Sequence, residues 1–532
     1  MRDYLFPFCA FVLVMQADNS ATAAREEFNG PFPSWADLKR DYGARGDGRA
    51  DDTAAIQKAL DDLREHKKFC VLYFPAGTYR LTATVKTMRK AHTDCQCSIV
   101  GEDPDTTVLR WDGPKGGTLF QYDAWYAKIS RLTLDGAGKA KICLAYGDAF
   151  STYNETSDMV FKDADHGMWM ATKNDGQAEN AVLRCRFLRC TQAGLTTVNF
   201  NSMDIWVWYS RFEDCGYGLL NGAGNYHAYK NLFLRSKIAD VAIRNLMVFA
   251  LVENTSIGSK AFMNWADFTW GSPTSVTGNR ILNPTGDVAL ALNNGGPYLL
   301  ADNIIKSRAG KTGPEVRLTW GDQALIGNRY TIQKAVQRNG HHLEIDEQVV
   351  DAKSIDVKPP ELPGTPPNRK RKILEVTAGA NAAVIQKVLD EAAKHKGERP
   401  VVHLPMGTYK IERTLLLPAG CDVQIVGDGA SEIATVLQWS GEAGEPLLRL
   451  EGPARATLRD FHVQAGAGTG VLVTECDQDG GKIFADQLTV TGHSPNDKAV
   501  VGLLVDGVER SDVQLRNCQG GTFMERWLHV VG

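Results

Sequence analysis

The sequence predicts an all-β protein folded as a right-handed parallel β-helix, in two tandem copies of which the second is short. Three observations carry this prediction: a pattern that returns about every 24 residues, a Gly-rich turn followed by an amphipathic helix and a strand, and a second occurrence of that same signature. Self-similarity at a fixed period comes first because it determines how the whole chain packs.

The repeating pattern is a polar residue, usually Asn, then any residue, then a large apolar one. Its apolar members lie 25, 21, 24, 24, 24 and 25 residues apart: Phe187, Phe212, Phe233, Ile257, Ile281, Ile305 and Tyr330. The copy at Asn254 fits with one extra residue. Each repeat holds two short β-like runs and no room for a long helix, which is typical of a β-helix rung. Because Asn tolerates left-handed backbone and bonds its own turn, stacked copies predict an Asn ladder.

A signature region precedes the rungs. A Gly-rich turn at 43–48 is followed by a predicted helix that Asp52 or Thr53 can cap, and then by a strand at 71–81. The predicted apolar face of the helix is Ile56, Ala59, Leu60 and Leu63.

This turn, the helix and the strand motif Pro75-Ala76-Gly77-Thr78-Tyr79 resemble the N-terminal signature of the pectate-lyase-superfamily right-handed β-helix proteins. The resemblance covers roughly residues 38–110, and the rung pattern extends it to about residue 335. It implies the pectin-lyase-like fold and no single chemistry, since lyases, hydrolases, epimerases and phage tailspikes share that fold.

The signature occurs twice, at offsets of 326 to 330 residues. For example, Pro405-Met406-Gly407-Thr408-Tyr409 repeats the strand motif. We therefore expect a first β-helix at 34–350, a Pro-rich and basic linker at 351–372, and a second β-helix at 373–532, each with an N-terminal capping helix. The second copy is about half the first and shows no closing segment, so we expect either an incomplete copy or a partner that covers its end.

Tandem β-helices joined by a linker resemble the two-barrel exo-β-1,3-glucanases of glycoside hydrolase family 55. That resemblance is one of architecture and brings no catalytic motif. It implies a substrate cleft near the junction of the copies, and the short second copy departs from that pattern.

Composition and charge bound the function further. The chain has 532 residues, 43% of them hydrophobic, and a net charge of −4, so no nucleic-acid-binding footprint is expected. Residues 1–24 resemble a secretory signal, and no later run is apolar enough to span a membrane. We expect a secreted or periplasmic protein, either a monomer or a homotrimer.

Cysteine spacing gives no metal-binding quartet among the ten cysteines outside the predicted signal. Cys190 and Cys215 each follow an apolar marker by three residues, so they should stack on adjacent rungs. Both a disulfide and a pair of buried thiols fit that spacing.

Side-chain alternation predicts which residues face outward. Five positions before each marker the residues are uniformly apolar and should face inward: Val182, Val207, Ala228, Val252, Val276, Leu300 and Leu325. The neighbouring positions then form an outward platform, which we predict to bind substrate: Trp206, Trp208, Tyr229 and Asn225. Flat aromatic surfaces suit pyranose rings. The structural alternative is that another segment packs over these rings.

The predicted catalytic residues are Asp204, Glu179 and His227. Glu179 and Asp204 share one column on adjacent rungs, about 4.8 Å apart along the backbone. Two carboxyl groups that close push one pKa up, which places a proton donor beside a carboxylate. Glu213, Asp214 and Asp267 are kept as reserve candidates, and no metal ligands are assigned.

The pattern favours a β-1,3-glucanase-like glycoside hydrolase that acts on polysaccharide without a cofactor. A polysaccharide lyase or uronate epimerase is the second reading, with His227 or outward Lys230, Arg235 and Arg244 as the basic groups and Ca²⁺ as a cofactor. The third is a non-catalytic, tailspike-like glycan-binding protein.

Overall fold

The computed structural model describes residues 26–531 except 66–67, 88–96, 147–150, 171–175, 245–247, 266–272, 294, 467, 476–478, 494–499, 508–511 and 522. The predicted signal at 1–24 and the reserve candidate Asp267 therefore lie outside the described residues. The chain divides into two compact units. One comprises residues 35–365, and the other joins residues 26–34 to residues 366–531.

Residues 35–365 coil through three long sheets in which every described pairing is parallel. Sheet I consists of Ala36–Asp37, Val71–Phe74, Ser98–Gly101, Lys128–Ser130, Glu155–Ser157, Ala181–Leu183, Ile205–Trp208, Tyr226–Tyr229, Phe249–Val252, Thr274–Thr277, Tyr298–Ala301, Gln323–Ile326 and His342–Ile345. Sheet II consists of Asp47–Asp51, Gly77–Leu81, Thr107–Trp111, Thr133–Asp135, Val160–Lys162, Arg186–Leu188, Arg211–Glu213, Leu232–Leu234, Thr255–Ile257, Arg280–Leu282, Ile304–Lys306, Arg329–Tyr330 and Gln348–Val349.

Sheet III closes each turn of the coil. Its strands are Val85–Thr87, Thr118–Tyr122, Ile142–Tyr146, His166–Met170, Ala193–Thr197, Tyr217–Asn221, Ala239–Ile243, Met263–Asn264, Leu290–Leu292, Val316–Leu318 and Val336–Arg338. A further pair, Ser151–Thr152 with Gln177–Ala178, lies just before sheet I on two adjacent turns. The described helices of this unit are Leu38–Tyr42, Thr53–Arg64 and the 3-10 turn Ala352–Ser354. The predicted parallel β-helix is confirmed.

The interior of the coil is an apolar column, because alternate side chains of each sheet point inward. At its centre Phe161, Phe187, Phe212 and Phe233 stack ring on ring, with centroids 4.9, 4.6 and 4.9 Å apart and planes within 15°. Phe187, Phe212 and Phe233 are predicted markers, and Phe161 extends their column by one turn.

The predicted Asn ladder runs beside this column. The Nδ2 group of each Asn donates to the Oδ1 of the next at 2.9–3.0 Å, through Asn231, Asn254, Asn279, Asn303 and Asn328. The Asn328 amide donates to Glu347 Oε1 at 2.8 Å. Each side chain thus satisfies buried backbone groups on neighbouring turns, which would otherwise carry a desolvation penalty.

The extra residue expected after Asn254 is not there. Sheet II pairs Ser256 with both Phe233 and Ile281, so Ser256 occupies the marker position and the prediction of Ile257 was wrong. The same shift places Leu251 inside instead of Val252, since Leu251 pairs with Ala228. The repeating pattern predicted Ile257 because its marker position normally holds a large apolar residue. The structure instead turns the carboxyl of Asp240 toward Ser256, whose hydroxyl donates to it.

The first helix signature is present with one change. Thr53–Arg64 is helical, and its predicted apolar face is buried. Asp52 is the N-terminal flanking residue but makes no side-chain cap. Its carboxylate instead accepts from the backbone N–H groups of Arg45 and Gly46 at 2.7 and 3.0 Å, so it holds the Gly-rich turn.

The second unit is also a parallel coil. Sheet IV consists of Ile373–Glu375, Val401–Leu404, Asp422–Gly427, Arg455–Ala465, Thr435–Trp439, Gly407–Ile411, Lys482–Gly492, Asp512–Arg516 and Gln519–Gly520. Sheet V consists of Leu415–Leu417, Leu448–Glu451, Thr469–Thr474, Val501–Asp506 and Arg526–Val531. The helix Ala382–Ala393 buries Ile385 and Leu389.

Residues 26–34 pack on this second unit, although they precede the first along the chain. The Glu27 carboxylate binds the Arg371 guanidinium at 2.8 Å, and the Phe32 ring stacks on buried His403 at 3.8 Å. The boundary at residues 365 and 366 falls inside the predicted linker at 351–372.

Cys190 and Cys215 do stack on adjacent turns, and both are buried free cysteines. None of the described helices is long and apolar enough to cross a membrane.

Candidate functional site

Three neighbouring strands of sheet I carry the predicted platform: Ala181–Leu183, Ile205–Trp208 and Tyr226–Tyr229. Their register places Trp206 beside His227 and Trp208 beside Tyr229. All four side chains are half-buried, whereas the residues between them on the same strands are buried in the core. The four rings therefore lie together on the outer face of the coil, as the alternation predicted.

The rings contact one another as a continuous surface. Trp206 stacks on the His227 imidazole with centroids 4.5 Å apart and planes 27° apart. Trp208 meets Trp206 edge to face at 6.1 Å and Tyr229 edge to face at 6.0 Å. Such offset and edge contacts are favourable aromatic geometries, so each ring is held in place by its neighbours.

Asp204 stands at the corner where the chain enters the Trp206 strand. Its Oδ1 lies 3.0 Å from His227 Nε2 and accepts from Asn225 Nδ2 at 3.3 Å. The Asn225 side-chain carbonyl accepts the Asp204 backbone N–H in return. One carboxylate oxygen is therefore fixed by two donors, and Oδ2 has no hydrogen bond from a described residue.

Glu179 occupies the same corner one turn earlier. The pairing of Ala181 with Trp206 puts Glu179 and Asp204 in one column on adjacent turns. The Thr152 hydroxyl donates to Glu179 Oε2 at 2.5 Å. We refer to Glu179, Asp204, His227, Trp206, Trp208 and Tyr229 together as the acid–aromatic patch.

The two carboxyl groups of the patch titrate differently. Burial raises the pKa of Glu179, the Thr152 hydroxyl opposes this rise, and the charge of Asp204 adds to it. The hydrogen bond from His227 lowers the pKa of Asp204 and outweighs the effect of burial. Environments that push two neighbouring pKa values apart assign one group as the proton donor and the other as the carboxylate.

The reserve candidates play another part. Arg235 binds Glu213 and Asp214 in ion pairs of 2.5 and 2.9 Å, and Arg211 binds Glu213 at 2.6 Å. These carboxylates belong to charged ladders on the corners of the coil, away from the patch. Trp265, which flanks the reserve candidate Asp267 in the sequence, is fully buried in the core.

The basic groups considered for a lyase are mostly engaged. Lys230 pairs with Glu253 at 3.3 Å and lies 5.0 Å over the Tyr229 ring, and Arg235 is held as described above. Arg244 is exposed. Among the residues that the structure describes, no group of three or more His, Cys, Asp or Glu side chains is arranged to hold a metal ion.

Sequence reasoning missed Thr152 and the two tyrosines that share the Glu179 column, Tyr126 and Tyr153. All three lie on turns before the first marker of the Asn pattern, so no register was available for them. The strand register identifies the two tyrosines, which lie two positions before Lys128 and Glu155 on sheet I, and both share the positive φ of Glu179 and Asp204.

The fold and this patch define a parallel β-helix protein with an acidic and aromatic outer face. Comparison with known families agrees with the fold. Residues 38–109 match the family model described as rhamnogalacturonase A/epimerase, pectate lyase-like. The match covers the turn, helix and strand signature and confirms its resemblance to the pectate-lyase superfamily.

Solved structures with a similar chain path are distant in sequence. The ORF18 protein of Geobacillus virus E2 has a TM-score of 0.35 and 12% identity over 60% of this chain and 62% of its own. The Dettilon tailspike protein gp208 has a TM-score of 0.40 and 12% identity over 59% and 68%. The catalytic unit of a GH87 α-1,3-glucanase from Streptomyces thermodiastaticus has a TM-score of 0.32 and 10% identity over 84% and 66%.

The alignments thus span about two thirds of each of these proteins. A search of curated proteins found no significant match.

Proposed function

We propose that this protein is a secreted or periplasmic glycoside hydrolase that cleaves a polysaccharide at the acid–aromatic patch. The observation that carries the proposal is the pairing of Glu179, whose pKa is raised, with Asp204, whose pKa is lowered, on adjacent turns. The His227 ring contacts Asp204 and continues into the rings of Trp206, Trp208 and Tyr229, which suit the flat faces of pyranose units. The family model that matches residues 38–109 is named after a rhamnogalacturonase and an epimerase, which supports a carbohydrate substrate.

In this proposal Glu179 is the general acid. Its proton passes to the glycosidic oxygen as the bond to the anomeric carbon breaks. Asp204 Oδ2 attacks that carbon and forms a glycosyl ester, and Oδ1 keeps the bonds from His227 and Asn225. A water molecule then gives its proton to Glu179 and its hydroxyl to the anomeric carbon, which releases Asp204.

The spacing of the pair favours retention of configuration. Residues in one column on adjacent turns are about 4.8 Å apart along the backbone. Side chains that leave the corner in parallel would bring their carboxyl groups near the ~5–5.5 Å separation of retaining enzymes. Inverting enzymes need a wider gap of ~6.5–9.5 Å to admit water. We propose neutral β-glucan, with β-1,3 linkages, as the first substrate class to test.

The test is incubation of the purified chain with a panel of neutral glucans and uronic-acid polymers. New reducing ends and the absorbance of unsaturated products are recorded in the same samples. The proposal predicts reducing ends without the unsaturated chromophore, and their loss in Asp204→Asn. Asn keeps the shape of the side chain and tolerates the left-handed backbone at this position, so the variant should fold.

The other outcomes are also informative. Unsaturated products would show that the reaction is β-elimination and not hydrolysis, with His227 as the candidate base. Binding without turnover, unchanged in Asp204→Asn, would make the patch a glycan-binding surface and the protein non-catalytic.

A further inference from the structure

The corner that carries Glu179 and Asp204 continues on the two preceding turns. Sheet I pairs Lys128 with Glu155 and Glu155 with Ala181. Ala181 in turn pairs with Trp206. The residues two positions before these four strand residues therefore form one column along the coil: Tyr126, Tyr153, Glu179 and Asp204.

The two tyrosines of this column stack on each other. Their ring centroids are 5.0 Å apart and their planes 24° apart. Tyr153 is 38% exposed, which is high for a large aromatic residue in this coil. The stack lies one and two turns from Glu179, or about 5 and 10 Å along the coil axis.

Bulky residues are poor choices for these positions. All four column residues have positive φ, where a non-Gly residue is disfavoured by roughly 1–2 kcal/mol. The corner at the other end of the sheet I strands also turns through positive φ, and beside Gly278 and Gly327 it too carries bulky residues such as Tyr209. Strain alone therefore does not distinguish Tyr126 and Tyr153. What distinguishes them is their mutual stacking, the exposure of Tyr153 and their place in the column of the two carboxyl groups.

We propose that Tyr126 and Tyr153 form a second sugar-binding subsite, the tyrosine subsite. It holds a neutral pyranose of the same polysaccharide away from the bond being cleaved. The inference rests on the proposed function of the acid–aromatic patch and adds to it. The exposed ring of Tyr153 offers an apolar face and a polar edge. A sugar ring has both kinds of surface, with C–H groups on its face and hydroxyl groups at its edge. A chain bound at both places would run along the column, so efficient cleavage requires a substrate long enough to reach the tyrosines.

The test compares a long polymer with the shortest oligosaccharide that the wild type cleaves. We expect Tyr153→Ala to lower kcat/KM on the polymer by about 10-fold and on the short substrate by less than about 2-fold. Tyr153→Phe keeps the ring and should retain most of the preference for the polymer. Tyr217→Ala removes a half-buried tyrosine from sheet III and should change neither value.

Equal losses of kcat/KM on both substrates, or no loss on the polymer, would overturn the tyrosine subsite while leaving the proposed hydrolysis intact. If no glycan is cleaved at all, the same variants are run through native gels that contain the polysaccharide. Retardation that Tyr153→Ala loses and Tyr217→Ala keeps would support the tyrosine subsite even though the protein is not a hydrolase. Retardation unchanged in Tyr153→Ala, or absent in the wild type, would contradict it.

Discussion

Two stretches of sheet I share one backbone and differ in what they present to the outside. On the strands Ile205–Trp208 and Tyr226–Tyr229 the outward rows carry tryptophan, histidine and tyrosine. On the next two strands the same rows continue in register as Ala250 and Ser275, and as Val252 and Thr277. The inward rows remain apolar throughout, with Val207, Ala228, Leu251 and Val276 all buried.

The difference shows that the coil does not need rings on its outer face. Aliphatic and hydroxyl side chains complete the same parallel pairing two strands further on, so the rings are not a requirement of the fold. What both stretches share, namely the apolar column and the Asn ladder, is what stability requires. The patch should therefore be separable from the fold by mutation.

The largest effect should come from the general acid. Glu179→Gln removes the proton donor and should lower kcat by roughly 10²–10⁴-fold, with an unchanged thermal unfolding midpoint. Glu253→Gln is the matched control: it removes a carboxylate from another corner of the same sheet, where Glu253 is paired with Lys230 at 3.3 Å. Equal losses in the two variants would mean that the patch has no special role.

Mutation of the Asn ladder should have the opposite effect, a loss of stability with activity retained. Asn279→Ala removes a side chain that bonds Asn254 and Asn303 and leaves buried partners unsatisfied. The free energy of unfolding should fall by about 2–5 kcal/mol, measured by denaturant titration. Asn201→Ala, at an exposed position outside the ladder, should change it by less than about 0.5 kcal/mol. Activity measured well below the unfolding midpoint should survive in both.

A third variant examines the turn in which Ser256 occupies the marker position. Burial raises the pKa of Asp240, which bonds to Ser256, to about 7, against ~3.9 in an unfolded chain. An acid whose folded pKa is raised gives stability that is full below pH ~4 and is lost as pH rises toward 7. Asp240→Asn lacks this dependence.

The free energy of unfolding of Asp240→Asn, measured relative to the wild type, should therefore rise by about 2.6 kcal/mol from pH 5 to pH 8. Urea titrations at the two pH values measure it. A difference that stays constant would show that Asp240 does not titrate in this range.

Smaller still is the contribution of a single ring to substrate affinity. Trp206→Ala should raise KM by about 10-fold with little change in kcat, because the ring binds ground state and transition state alike. Ser275 continues the same row two strands away, and Ser275→Ala should leave KM unchanged. If both variants behave alike, the rings do not contact substrate.

The sequence was sufficient for the features that repeat. The period located the turns, the alternation placed Trp206 and Trp208 outside, and the Asn positions formed the ladder because each recurs in register. It failed where one turn departs from the rule, since Ser256 in place of a large apolar residue can be recognised only with Asp240, which lies 16 residues away. Thr152 was out of reach for a related reason: its bond to Glu179 spans 27 residues, and its turn lacks the pattern that sets the register.

The central claim, that Glu179 and Asp204 act as proton donor and carboxylate, is tested most directly by the pH dependence of kcat/KM. Activity should rise as Asp204 ionises and fall as Glu179 loses its proton, which gives a bell-shaped profile. His227→Phe keeps a flat ring but removes the hydrogen bond that lowers the pKa of Asp204, so its acid limb should move to higher pH while the alkaline limb stays. Glu179→Gln should lose the alkaline limb. An alkaline limb that survives in Glu179→Gln, or an acid limb unmoved in His227→Phe, would contradict the account.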